Sequence, residues 1–327
     1  MDKDRRTAPL EKAIIVAVDA PLHRALDKLA HAGRVVCFAG LPGTGKSLMI
    51  HQLAHLAYLR GRKVSLLQWD TARPLFEASE AGKRYPQVDG VTHGMIRVAV
   101  GRWARHAIAR WHTQRACDDW LLIGETPFVG HRLVELARPA DDAAEPVLSL
   151  ESCRFVVPVP SRAVRQHIEA ERERRTREPQ HVREKEDAPP HVLRELWQQL
   201  TQAAAMLGEA PQPAGSGTQA PYDPDVYRNV YLRVLGRRHA QVLPLDVILP
   251  ASGFSAYDFK IALDDLLPGE ADIARCLHEA EQAYPDSATR PAFLAGVPHV
   301  ARMSVGTAAS RVPDGAALAH EIEHWHE

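Results

Sequence analysis

The stretch Gly40-Leu41-Pro42-Gly43-Thr44-Gly45-Lys46-Ser47 decides how this chain is interpreted. It fits the pattern G-x-x-x-x-G-K-[ST], in which glycines let the backbone curl around a phosphate chain with its N–H groups pointing inward. The lysine of such a loop places its charge on the β- and γ-phosphates, and the hydroxyl after it can ligate Mg²⁺. The pattern therefore predicts that residues 40–47 bind a nucleotide's phosphates, with Lys46 and Ser47 in these two roles.

The segments on either side of the loop have the character that this interpretation requires. Residues 34–39 form a short apolar and partly β-branched run, which is typical of a buried parallel strand. Residues 48–60 carry apolar side chains at helical spacing, and Gly61 ends that pattern. Strand, loop and helix thus follow in order, and the positive end of the helix dipole would face the phosphates.

Further along the chain, short apolar runs alternate with helical patterns. We predict strands at 63–69, 120–124, 154–159 and 240–245 and helices at 93–113, 162–177 and 225–238. This alternation predicts an α/β fold, an open parallel sheet of about five strands with helices on both faces. With the phosphate-binding loop it predicts the P-loop NTPase fold.

We divide the chain into three parts. An N-terminal helical segment over 1–33 precedes a nucleotide-binding domain over 34–260, in which residues 162–224 form a lid or insert. A C-terminal helical tail follows over 261–327 and carries no sharp motif.

Composition excludes several classes of function. The chain has 327 residues, 45% of them hydrophobic and 25% charged, with a formal net charge of −1. We therefore expect no field that attracts nucleic acid or anionic lipid, and neither a nucleic-acid nor a membrane partner. No apolar run approaches the ~18 residues of a membrane span, and the charged N-terminus is unsuited to a signal peptide. The four dispersed cysteines are expected to be buried thiols, so we predict a reducing, cytoplasmic location.

Acidic residues follow two of the predicted strands. Asp70 ends the second strand, with Arg73 one turn later if a helix begins there, and Glu125 ends the third, followed by His131 and Arg132. Ligands of such sheets bind beyond the carboxyl ends of the strands. We assign Asp70 to the acceptor substrate as base, and Glu125 to Mg²⁺ or to a second base, although the roles could be reversed. The alternative is that each carboxylate only caps a helix or occupies its first turn.

The helix predicted at 162–177 is rich in arginine and glutamate. Ion pairs between residues four apart account for most of these charges on a solvated helix. A second interpretation is a lid whose arginines fold over the phosphates and exclude water. Arg172 and Arg175 share one face, as do Arg174 and Arg177; we select Arg172 and Arg175 as the phosphate-binding candidates.

At this point the chain resembles the P-loop small-molecule kinases over about residues 34–250. The phosphate loop, the long helix and a strand ending Gln68-Trp69-Asp70-Thr71-Ala72-Arg73 look like the adenylylsulfate and gluconate kinase group. That resemblance implies that Asp70 and Arg73 handle the acceptor. Glu125 is similar to the strand-3 acid of the nucleoside kinases, and the charged helix stands where such kinases carry an arginine-bearing lid. The implied function is transfer of the γ-phosphoryl group of Mg·ATP to an unidentified small acceptor.

Two other functional classes remain open. A P-loop ATPase acting as a nucleotide-driven switch or assembly factor would use Glu125 to activate water, and it could act as an oligomer. A nucleotide-dependent binding module with little turnover is disfavoured by the presence of both Lys46 and a candidate base. A GTPase is disfavoured because no Asn-Lys-x-Asp segment follows a late strand.

Two histidine pairs have metal-ligand spacing. His320 and His324 lie in H-E-x-x-H, but the chain offers no ligand after them, so we interpret them as solvated residues. His51 and His55 are four apart on the helix after the phosphate loop, and we expect packing or surface exposure for them.

Overall fold

One open sheet of six parallel strands organises the part of the chain that the computed structural model describes, residues 12–87, 92–179, 181–185, 187–210, 220–251 and 255–284. The strands are Val35–Ala39 (β1), Lys63–Gln68 (β2), Trp120–Thr126 (β3), Cys153–Pro160 (β4), Ala240–Leu245 (β5) and Leu263–Asp265 (β6). Their order across the sheet is β5-β4-β1-β3-β2-β6. The five predicted strands and their parallel pairing are confirmed.

Nine α-helices are described. They are Pro21–Ala32 (α1), Lys46–Leu59 (α2), Trp69–Ala78 (α3), Gly94–Gln114 (α4), Glu145–Leu148 (α5), Arg162–Arg177 (α6), Pro190–Met206 (α7), Pro224–Val234 (α8) and Glu270–Ala283 (α9). Short 3-10 turns lie at Gly82–Arg84, Val134–Leu136 and Val182–Lys185. None of the described helices is long and apolar enough to cross a membrane.

The sheet is covered on both faces, as the alternation predicted. Side chains of β1 alternate between two separate apolar cores: Val35 and Cys37 enter one, and Val36 and Phe38 enter the other. Helices α1 and α2 cover the second core, whereas α4, with α9 packed on it, covers the first. A strand buried on both faces needs apolar residues at every position, which explains the unbroken run of β1.

Several boundaries differ from the sequence predictions. The helix predicted in the N-terminal segment begins only at Pro21, so residues 12–20 are not helical. The fixed φ of proline suits the first turn of a helix. The predicted tail contributes β6, which pairs with β2, and α9, which packs on α4. Within the predicted lid, α7 buries Leu193, Trp197 and other apolar residues. Residues 285–327 of the predicted tail, with His320 and His324, lie outside the described residues.

The cysteine prediction is wrong at one position. Cys37, Cys153 and Cys276 are buried, but Cys117 is exposed in the loop before β3, and all four are free thiols. Cys117 directly precedes Asp118 and Asp119 in a polar loop, and loops run over the surface of a protein.

The strand order reverses beside β1. The chain places β2 and β3 on one side of β1 and then crosses to β4 on the other. Open α/β sheets bind ligands in the crevice at such a reversal, outside the carboxyl ends of the strands. The loop that follows β1 and the residues that end β3 border this crevice.

Candidate functional site

The loop after β1 requires glycine at three positions. Gly43 and Gly45 have φ of +75° and +86°, in the left-handed region that favours glycine. A Cβ at Gly43 would lie 2.9 Å from Leu193 Cδ1 of α7, and a Cβ at Gly40 would collide with the Tyr227 hydroxyl of α8. The loop therefore has a backbone path that side chains at these positions would disturb.

Contacts through its carbonyl groups hold this loop in place. The Thr44 hydroxyl donates to the Leu41 carbonyl at 2.9 Å. The Arg165 guanidinium, almost fully buried on α6, donates to the carbonyls of Pro42 at 3.2 Å and Gly43 at 3.0 Å. A buried arginine bound to two loop carbonyls holds the loop firmly in the fold. The sequence did not single out Arg165, because it is one of many arginines in the same charged helix.

Lys46 is the first residue of α2 and is only 5% exposed. Its Nζ donates to the Leu41 carbonyl at 2.9 Å and lies 3.5 Å from Glu125 Oε1. Burial lowers the pKa of Lys46, the positive charge of Arg172 adds to that effect, and Glu125 opposes it. The ammonium group thus lies at the helix N-terminus and against an acid of the neighbouring strand β3.

Glu125 lies inside β3, which extends two residues beyond the predicted end at Gly124. Parallel pairing places it beside Phe38 of β1 and Gln68 of β2. Because Glu125 belongs to a strand, its interpretation as a helix cap or first-turn carboxylate is wrong. Burial raises the pKa of Glu125 and the negative charge of Asp70 raises it further, while Lys46 lowers it. A carboxylate that is only 15% exposed and lies beside a lysine suits either a metal ligand or a proton acceptor.

Asp70 and Arg73 lie on α3, which follows β2 without an intervening loop. Asp70 is exposed in the first turn, so it also complements the helix dipole as the alternative interpretation stated. Its negative charge acts on Lys46, Glu125 and Arg132, which places it within the same group of charges. Arg73 lies one turn later, as expected, and its guanidinium pairs with Glu77 at 2.7 Å.

The arginine-rich helix α6 has two distinct faces. Arg174 and Arg177 are exposed and pair with glutamates of their own helix at 2.8 Å. Arg172 donates to the Ala188 carbonyl at 2.9 Å and lies 3.9 Å from Asp187 Oδ1, and its charge lowers the pKa of Lys46. Arg175, on the same face, pairs at 3.0 Å with Glu184, whose side chain is fully covered. The structure brings Arg172 to the candidate site and engages Arg175 at the edge of it.

Two residues that sequence reasoning missed join the site from distant loops. The Tyr257 hydroxyl donates to Asp187 Oδ1 at 2.7 Å and lies beside the Ser47 hydroxyl. Burial raises the pKa of Tyr257, and Asp187 and Glu125 raise it further. Neither residue ends a strand or belongs to a motif, so the sequence held no signal for them.

The histidine pair on α2 is a packing feature. His51 and His55 are both buried, and their rings stack at 4.1 Å with Phe259 against them. The His55 ring accepts the Lys260 N–H at 3.4 Å, and the His51 ring contacts the Asp258 carbonyl at 3.3 Å. Burial lowers the pKa of His51 to about 4, so the ring is neutral at pH 7. The pair docks residues 258–260, and thereby Tyr257, onto the helix that carries Lys46.

These positions together define a crevice of mixed charge above the carboxyl ends of β1, β2 and β3. One side carries Lys46 at a helix N-terminus, which can hold phosphate. Glu125 Oε1 lies 3.5 Å from Lys46 Nζ, and the negative charge of Asp70 acts on both Glu125 and Arg132. Such an arrangement can hold an anionic ligand and a carboxylate that accepts a proton within one space.

Compared with known proteins, the chain matches no family model, no curated protein and no solved structure.

Proposed function

We propose that this protein is a P-loop phosphotransferase that moves the γ-phosphoryl group of ATP to a small acceptor. The observation that carries the proposal is the 3.5 Å approach of Lys46 Nζ to Glu125 Oε1, at the start of the helix that follows a glycine-dependent loop. The pair joins the first turn of α2 to β3, the neighbour of β1, where the strand order reverses. In a parallel α/β sheet this is where a nucleotide's phosphates and their metal are held.

The residues present fit a nucleotide with Mg²⁺. The glycines give the loop the left-handed backbone of Gly43 and Gly45 that such a loop uses, and Lys46 would supply the charge for the β- and γ-phosphates. The Ser47 hydroxyl and the Glu125 carboxylate offer the oxygen donors that Mg²⁺ prefers. When bound, the metal would neutralise charge on the phosphate oxygens.

The acceptor side is assigned to Asp70. The acceptor hydroxyl attacks the γ-phosphorus, the bond from that phosphorus to the β–γ bridging oxygen breaks, and the hydroxyl proton passes to the Asp70 carboxylate. The products are ADP and a phosphate ester. Arg172, whose charge acts on Lys46, would stabilise the charge that spreads over the phosphoryl oxygens.

The proposal is tested by incubating purified protein with Mg·ATP, alone and with pooled small metabolites, while mass spectrometry follows ATP and new phosphorylated products. A product that requires both a metabolite and the protein is the expected result. Lys46→Ala should abolish nucleotide affinity or turnover without unfolding the protein, and Asp70→Asn should spare nucleotide binding and remove transfer. Lys83→Ala, at an exposed lysine, is the matched control.

Steady hydrolysis of ATP that no metabolite changes would instead indicate a nucleotide-driven switch or assembly factor. Full transfer by Asp70→Asn would show that the base is assigned to the wrong residue. Absence of nucleotide binding by the unmodified protein would overturn the proposal as a whole.

A further inference from the structure

Arg132 lies in an unusual turn directly after β3. The backbones of Phe128 and Arg132 exchange two hydrogen bonds of 3.0 and 3.1 Å. Within and beside the turn, the non-glycine residues Phe128, His131 and Leu133 have φ of +58°, +54° and +65°. Residues other than glycine rarely adopt these positive φ values. Those that do are found often at ligand sites, where the surrounding fold compensates for the backbone strain.

Three elements hold the turn in this conformation. The Arg97 side chain of α4 donates to the Gly130 carbonyl at 3.0 Å. The Tyr231 hydroxyl of α8 donates to the Pro127 carbonyl at 3.1 Å. The buried His131 ring contacts Glu135 Oε1 at 3.0 Å. The position of Arg132 is therefore imposed by the packed fold.

The Arg132 side chain differs from the other inward-facing arginines of this region. Arg73, Arg165 and Arg175 each pair with a glutamate at 3.0 Å or less. Arg132 is half-buried, and no hydrogen bond or ion pair within the described ranges engages its guanidinium. Burial lowers the pKa of Arg132 and Arg73 adds to this, whereas the charge of Asp70 opposes it. A half-buried guanidinium without a protein partner keeps its N–H donors available to an anionic ligand.

We propose that Arg132 binds the anionic group of the acceptor, and that the acceptor is a small alcohol carrying a carboxylate or a phosphate ester. The assignment of the hydroxyl to Asp70 rests on the function proposed above. A guanidinium presents paired N–H donors that match two oxygens of either anion. Arg132 therefore takes the anion-binding role that the sequence predicted for Arg73, whose charge Glu77 already offsets.

The test measures binding of two simple anions, sulfate as the tetrahedral probe and acetate as the planar one. Each is titrated into protein saturated with Mg²⁺ and a non-hydrolysable ATP analogue, and the heat of binding is recorded. Arg132→Gln should weaken the preferred anion at least tenfold and leave nucleotide affinity within twofold. Arg132→Lys, which keeps the charge but not the paired donors, should show an intermediate loss.

Arg228→Gln, at a partly exposed arginine paired with Asp225 on the surface of α8, is the matched control and should change neither affinity. The preference for sulfate or acetate distinguishes a phosphate ester from a carboxylate in the natural acceptor. Unchanged anion binding in Arg132→Gln would overturn the proposal. A loss of nucleotide affinity instead would also overturn it, because Arg132 would then face the nucleotide.

The two proposals fail in distinguishable ways. If the unmodified protein binds no nucleotide, the phosphotransferase proposal fails, and the anion titrations are repeated on Lys46→Ala protein without nucleotide. A sulfate or acetate site that persists there and is lost in Lys46→Ala/Arg132→Gln supports the Arg132 site independently. Thermal melting of each variant shows whether it is folded. If Arg132→Gln is unfolded, Arg132→Lys replaces it in the test.

Discussion

At the scale of single residues, the path of the loop over 40–47 depends on how closely neighbouring side chains approach its glycines. Gly40 lies where the Tyr227 hydroxyl and the Thr44 side chain leave no room for a Cβ. Gly61 provides a contrast: its φ is +78°, yet a Cβ there would meet nothing within 4 Å. The first glycine is required by packing, and the second only by its backbone conformation.

Gly40→Ala is expected to destabilise the protein by about 1–3 kcal/mol through overpacking and to weaken nucleotide binding. Adding Tyr227→Phe removes the oxygen that the new Cβ would meet and should recover part of the stability. Urea unfolding and nucleotide titration measure both effects. Gly61→Ala is the control and should cost about 1 kcal/mol of backbone strain with nucleotide affinity unchanged. Equal losses of stability in the two alanine variants would contradict the packing argument.

At the scale of elements, helix α6 has an exposed outer face and an inner face that borders the candidate site. Its outer arginines form ion pairs between residues three or four apart, which are worth little at an exposed position. Its inner face holds Arg165 against the carbonyls of the glycine loop and Arg172 near Lys46. The helical period thus places the arginines of one charged segment on two faces, an exposed face with ion pairs and an inner face that contacts the rest of the site.

Arg172→Gln should therefore weaken Mg·ATP binding or slow its turnover roughly 10- to 100-fold, the value of one charge-assisted hydrogen bond to a charged ligand. Arg174→Gln, two positions along on the outer face, should change either quantity less than twofold. Nucleotide titration and product formation measured on both variants check the difference. Equal behaviour of the two variants would remove Arg172 from the site.

At the scale of the whole molecule, the site is assembled by parts of the chain that are far apart in sequence. His51 and His55 on α2 bind the backbone of 258–260, which positions Tyr257 beside Ser47 and Asp187. This docking requires neutral imidazoles, because the rings are buried against each other and against Phe259. The fold is therefore coupled to the protonation of two histidines.

Stability should fall on acidification for this reason. The pKa of His51 falls from 6.5 to about 4 on folding, chiefly through burial, so between these values the unfolded chain binds the proton more strongly. The contribution is complete above pH 6.5 and declines as the pH falls towards 4, by up to about 3 kcal/mol. Urea unfolding at pH 7 and pH 5 measures it. His51→Gln should show a smaller difference between the two pH values than the unmodified protein.

His31→Gln, at an exposed position near the end of α1, is the control and should keep the full pH difference. A His51→Gln protein with the same pH difference as the unmodified chain would show that other groups cause the acid sensitivity.

Much of the fold was predictable from local patterns. The run over 34–39 reads as a doubly buried strand because each residue faces one of two apolar cores. The acids Asp70 and Glu125 were identifiable because carboxyl ends of parallel strands meet at one edge of a sheet. Strand β6 was not predictable, since three residues with two aspartates carry no periodic signal, and its place was decided by pairing with β2.

The sequence by itself determined the parallel α/β architecture and the dependence of the loop over 40–47 on glycine, because strand and helix periods and glycine spacing are local properties of the chain. Only the tertiary structure decided which charges remain available to a ligand. Glu77 engages Arg73 and Glu184 engages Arg175, whereas no hydrogen bond or ion pair within the described ranges engages the half-buried Arg132. The physical reason is that pairing of charges depends on separations of a few ångströms in space, which packing sets and which distance along the chain does not encode.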